Sequence, residues 1–253
     1  WKSCSITAGN LSELELTLGD VPAAESTAAQ SVTFADRSKD AFQRIVNRTA
    51  HADALHHADK LDTSRTLFAE AEALQAERQP GYPLLYSLPG YKYCDLLLAP
   101  AERAAWKLLG EDLAAIEDRA TQTLEWVTPS RDLLSIALDH LTLGRVSLLR
   151  AVLDSPDQHL PQARTALDTA RATLRHANST HHMPRALLPS AWLHALSGDW
   201  TMSVQRLNEA FALATRGGNP DAHWQGGMRL HLIDTLLYRV RLFGLRQEPD
   251  GTP

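Results

Sequence analysis

Eleven histidines are the most conspicuous reactive side chains of the sequence. They gather as His51, His56 and His57, and as His176, His181 and His182. A zinc hydrolase helix needs two histidines four residues apart with a glutamate beside the first, so that one face offers two ligands and a base. His51 and His56 are five apart and point in different directions on a helix. Cys4 and Cys94 stand alone, which excludes a Cys-x-x-Cys zinc pattern. The histidines therefore read as solvated surface residues, and no metal is expected.

Nucleophilic and phosphate chemistry fare no better. There is no Gly-x-Ser-x-Gly elbow, no Gly-x-x-x-x-Gly-Lys-[Ser/Thr] loop, and no Gly-x-Gly-x-x-Gly after a strand. Cys94 falls in Tyr93-Cys94-Asp95-Leu96-Leu97, an apolar helical setting where a thiol serves packing. The carboxylate pairs Glu70/Glu72 and Glu111/Asp112 fit polar faces or loops. The expectation is no enzyme and no cofactor. The catalytic alternative is a hydrolase using Cys94 with a nearby histidine.

The elements that must carry these residues are helices. The 253 residues are 44% hydrophobic, enough to bury a core in one domain or at most two. Glycine and proline fall between segments of helical period, and no long alternation of period two occurs. A net charge of -5 argues against a nucleic-acid partner. No apolar run is long enough for a membrane span, and no signal-peptide pattern is present. Two cysteines fit a reducing compartment, so a cytoplasmic location is expected. The start at Trp1 leads to the expectation that this is a piece of a longer chain.

One pattern recurs: a small residue, a large apolar residue four positions on, and another residue, small in four of the five copies, three further on. It reads Ala24-Ala28-Ser31, Ser64-Phe68-Ala71, Ala120-Leu124-Val127, Ala163-Leu167-Ala170 and Ser203-Leu207-Ala210, the first with alanine in the large place and the third with valine in the last. The copies recur about 40 residues apart, with one longer step, which marks a helical repeat. The spacing puts each set on one helix face, where Phe68, Leu124, Leu167 and Leu207 should be buried. Each such helix follows a turn, as in Leu18-Gly19-Asp20 and Ser197-Gly198-Asp199. Pro22 and Pro161 are expected just inside helix starts. A further helix precedes each turn, at roughly 5–18, 41–58, 83–98, 132–152 and 184–197, with a last, unpaired one at 227–244. The stretches 99–112, 153–159 and 219–226 read as connecting inserts, and 246–253 as a disordered tail.

Leu88-Pro89-Gly90-Tyr91-Lys92-Tyr93 and Leu143-Gly144-Arg145 carry the Leu/Gly/Tyr part of a tetratricopeptide signature. With Leu67–Gln75, Met183–Leu188 and Gly227–Leu232, they give residues 50–245 the look of bacterial tetratricopeptide arrays. Such arrays often form the C-terminal part of signalling NTPases of the NACHT/NB-ARC (STAND) type. The resemblance implies an all-α, right-handed superhelical solenoid over 1–245, made of about five helix pairs plus a final helix. It implies a protein- or peptide-binding module, the sensor or scaffold of a larger bacterial regulator. A free-standing interaction scaffold is the alternative.

In such a stack the first helix of each pair lines the concave groove. Aligning the helices by their turns places Asp53, His56, Tyr91, Arg145, Arg185, Trp192, Tyr238 and Arg241 there as ligand-binding residues, with Asp95, Leu149, Leu196 and Asp234 beside them. Aromatic and arginine side chains are the types enriched at binding hot spots. Arg145 and Arg241 are expected as free handles for acidic groups on a partner. The apolar last helix adds self-association as a further expectation.

Overall fold

The computed structural model describes residues 1–106, 113–215 and 227–245. Among the described residues the chain is all-α, with no strand. The helices are α1 (Lys2–Thr17), α2 (Val21–Ser38), α3 (Ala41–His57), α4 (Leu61–Arg78), α5 (Ser87–Trp106), α6 (Ala114–Val127), α7 (Leu133–Leu153), α8 (Pro156–His176), α9 (Met183–Leu196), α10 (Trp200–Thr215) and α11 (Arg229–Leu245). A short 3-10 turn, Thr180–His182, leads into α9.

The hairpins are closed by local chemistry. Gly19, Asp59 and Gly198 adopt left-handed φ values of 82°, 58° and 77° at the ends of α1, α3 and α9. The next residue then bonds back into the helix, Asp20 N–H to Glu15 O and Asp199 N–H to His194 O, both at 2.9 Å. The same aspartates start the following helix: Asp20 Oδ1 accepts from Ala23 N–H and Asp199 Oδ1 from Met202 N–H, each at 3.1 Å. Such caps contribute about 1 kcal/mol each.

The recurrent small–large–small triplets lie between helices as expected in four of five copies. Ala24, Ala28, Ser31, Ser64, Phe68, Ala71, Ala163, Leu167 and Ala170 are fully buried, and Ser203, Leu207 and Ala210 nearly so. Gly144 lets α7 and α8 approach, since a Cβ there would meet Leu167 Cγ at 2.7 Å. Helix α6 departs from the pattern. Its buried face runs Ile116, Ala120, Thr123, Val127, and Leu124 is only half-buried. Thr123 takes the inward place because its hydroxyl donates to the buried Asp139 of α7 at 2.9 Å.

Two boundaries differ from the sequence reading. The segment expected as a connector from 99 is helix to Trp106, with Pro100 inside α5. Helix α8 starts at Pro156, so Pro161 lies within it and Pro156 holds the first-turn place. The expected insert at 219–226 and tail at 246–253 lie outside the described residues.

Packing runs neighbour to neighbour in two layers. Helices α1, α3, α5, α7, α9 and α11 touch one another in that order, and the even-numbered helices lie against them. Helix α11 then returns to α1, so the inner six close into a ring. Leu230 of α11 packs into the first apolar cluster, with Leu16, Ala24, Ala28 and Ala54. The last helix, expected to have no second helix after it, is held by α9, α10 and α1. Its outer side stays apolar: Ile233, Leu236, Leu237 and Val240 are exposed, Val240 at 71%. Among the described residues, no helix is long and apolar enough to cross a membrane.

Candidate functional site

The inner ring encloses polar side chains, and the helical period explains which. On α5, Tyr91, Asp95 and Glu102 follow one another at four and seven residues, a single inward stripe. Helix α3 brings Asp53, His56 and His57 to the same centre, α7 brings Arg145, α9 Arg185, and α11 Asp234 and Tyr238. They line two cavities. One, of about 250 Å³, has His56, Tyr91, Asp95, Arg145, Asp234 and Tyr238 among its walls. The other, of about 190 Å³, is bounded by Glu13, Asp53, Lys92 and His182. Arg185 and Leu230 belong to both.

Arg145 is clamped. Its guanidinium lies 2.6 Å from Asp95 Oδ1, and its Nε donates to Glu102 Oε1 at 2.8 Å. Burial alone would raise the Asp95 pKa, but Arg145 and Arg185 outweigh it and hold the carboxyl well below its usual range. Burial raises Glu102, opposed by the same Arg145. The free handle expected at Arg145 is therefore an internal ion pair, its charge consumed by two carboxylates of the neighbouring helix.

Arg185 is held differently. Its guanidinium lies over the Tyr91 ring, 5.4 Å from the centroid. Burial pushes Tyr91 and Tyr238 upward, so both are neutral phenols. In the second cavity, Lys92 Nζ is 2.5 Å from Glu13 Oε1 and 3.4 Å from Asp53 Oδ2. Burial would discharge this lysine, but Glu13 and Asp53 raise its pKa and keep it cationic. Burial, with Arg185 close by, lowers His182 to about 2 and leaves it neutral.

Six of the eight sequence-predicted residues, Asp53, His56, Tyr91, Arg145, Arg185 and Tyr238, come together on these walls. Asp95 and Asp234 join them. Trp192 does not: it is 2% exposed, a core residue set edge-on to Tyr238 at 6.4 Å. Arg241 lies on α11 and borders neither cavity. Leu149 is core and Leu196 is an exposed surface residue. Glu102 escaped the sequence reading because its segment read as a connector. Lys92 and Glu13 escaped because nothing in the sequence pairs α1 with α5. His57 was legible: Asp53, His56 and His57 stand at i, i+3 and i+4, one face of α3. Each offers one ligand atom, all within 4.8 Å of one another, so this triplet is the group suited to a metal ion among the described residues.

The arrangement suits recognition by charge and shape. The carboxylates around the two cavities are Glu13, Asp53, Asp95, Glu102 and Asp234. The fixed cations are Lys92, Arg145 and Arg185. Acidic groups exceed basic ones, which disfavours the acidic partner that the arginines suggested and favours a cationic one. The Cys94 thiol is buried, and burial pushes it up to about 12, far from the thiolate that a nucleophile needs. Compared with family models, curated proteins and solved structures, the chain matches none.

Proposed function

We propose that the chain is a protein- or peptide-binding repeat module whose binding site is the cavity at the centre of the helical ring. The observation that carries this reading is convergence. Side chains from α3, α5, α7, α9 and α11 meet on one wall-lined space. A cavity of about 250 Å³ is smaller than an ordinary drug-sized site, roughly 300–1,000 Å³, so it takes one side chain or a chain end, not an extended strand. The carboxylate excess selects a cationic group, a Lys or Arg side chain or an N-terminal ammonium.

On this reading the stack is a right-handed tetratricopeptide superhelix of a cytoplasmic bacterial protein. By its resemblance it is the sensor of a STAND-type regulator, and capture biases such a switch only as far as its two states differ in affinity. The test is a peptide array that varies Lys and Arg content and N-terminal acetylation. Binders should share a basic group and lose about tenfold in affinity to Asp234→Asn, what one charge-assisted hydrogen bond contributes. Binders indifferent to Asp234→Asn and Tyr91→Phe would remove the site from the cavity.

A second partner surface is favoured by the exposed Ile233, Leu236, Leu237 and Val240 of α11. We propose that this contiguous apolar face packs against a second copy of the chain. Sedimentation of the parent and of Val240→Glu decides it: the parent should self-associate with concentration and the variant should not.

A further inference from the structure

We infer that Asp53, His56 and His57 of α3 form a binding site for a divalent transition ion of the zinc class. The inference draws on the same carboxylate excess as the peptide reading, but its test uses metal ions alone and no peptide. Two imidazoles and one carboxylate are the donor set that zinc and its neighbours prefer, with a position left open to a ligand. The three residues stand at i, i+3 and i+4, within one helical turn, so α3 presents them together without help from a loop.

Two observations point to an ion there. The first is an unmet bonding capacity. Asp53 is 3% exposed, and its Oδ1 has no hydrogen-bond partner. His56 Nδ1 beside it is buried and has none either. Buried polar atoms without partners are rare, and two of them within one triplet of ligand type call for a guest that satisfies both. The second is the orientation of His57. Its Nδ1 lies 2.9 Å from the Asp53 carbonyl oxygen. A ring nitrogen that donates to a backbone carbonyl fixes the tautomer and leaves the other nitrogen free, as ligating histidines require.

The neighbouring cations leave room for the ion. Lys92 occupies Asp53 Oδ2 at 3.4 Å and not Oδ1, and its nearer partner is Glu13 at 2.5 Å. Arg145 is taken up by Asp95 and Glu102. Arg185 leans on Tyr91 across the cavity. With five carboxylates and three fixed cations around the two cavities, the walls carry two formal negative charges in excess, the complement of one divalent ion. His56 and His57 border the larger cavity and Asp53 the smaller, so an ion held by all three sits where the two spaces meet α3.

The experiment uses the whole chain, stripped with chelator and titrated with zinc chloride and with cobalt(II) chloride. Expected are one equivalent bound per chain, ligand-field bands of four- or five-coordinate cobalt, and a rise in melting temperature with zinc. His56→Ala removes no hydrogen bond at Nδ1, and circular dichroism verifies its fold. It and His57→Gln should each weaken binding at least tenfold, the lower end of what losing even a supporting partner costs, about 10–100-fold. His176→Ala, exposed and bordering neither cavity, should bind as the parent does. No uptake by the parent, or equal uptake by parent and His56→Ala, would overturn the site.

Discussion

Arg145 and Asp95 face each other across α7 and α5 at 2.6 Å, the arginine buried and the aspartate partly so. A charge so placed cannot lose its partner cheaply. Arg145→Ala is expected to cost about 1–3 kcal/mol of stability, because it leaves Glu102 without its partner and Asp95 with Arg185 alone. Urea denaturation of parent and variant measures it. A variant as stable as the parent would mean that the pair is solvated.

Leu167→Ala on α8 should cost about 2–5 kcal/mol, the range for emptying a full leucine site. Leu124→Ala on α6 should cost clearly less, because that side chain is only half-buried. Gly144→Ala should destabilise by about 1–3 kcal/mol, since the added methyl meets Leu167. The ordering of Leu167 above Leu124 is the informative outcome, and its reversal would contradict the register of α6.

Asp139 gives a pH dependence with a definite sign. Burial raises its pKa from the ordinary value to about 7, with Thr123 as its hydrogen-bond donor and Oδ2 unpartnered. The folded state therefore holds a proton that the unfolded state releases near pH 4. Stability should fall as pH rises from about 4 to about 7, by up to about 4 kcal/mol in all. Asp139→Asn should flatten that slope and be the more stable protein at pH 8. Melting curves across this range decide it, and identical slopes would refute the assignment.

Thiol chemistry separates the two cysteines. Cys4 is exposed and Cys94 buried, with its thiol raised to about 12. A maleimide at pH 7.5 should label Cys4 promptly and Cys94 only after denaturation. Rapid double labelling of the native chain would restore the hydrolase alternative.

Much of the fold was legible in residues that act locally. Gly19-Asp20 and Gly198-Asp199 end one helix and cap the next, so the hairpins follow from short sequence windows. The triplets on α2, α4, α8 and α10 give the buried faces for the same reason. The errors lie where a distant partner decides. Thr123 displaces Leu124 because Asp139, on another helix, needs a donor. Trp192 belongs to the core because Tyr238, from the last helix, stands against it. Arg145 stands on the inner face as its turn implied, yet its pairing depends on Glu102, which follows a proline that usually ends a helix. Asp53, His56 and His57 needed only a helical wheel.

The seam between Leu230 and the α1 cluster changes how the molecule should come apart. An open repeat array frays from its ends, and each pair melts on its own terms. Here the inner row returns to its beginning, so loosening any pair in the middle loads the seam as well. The stack should then melt as one cooperative unit, and its folding should be slow, because the last contact to form joins segments at opposite ends of the described chain.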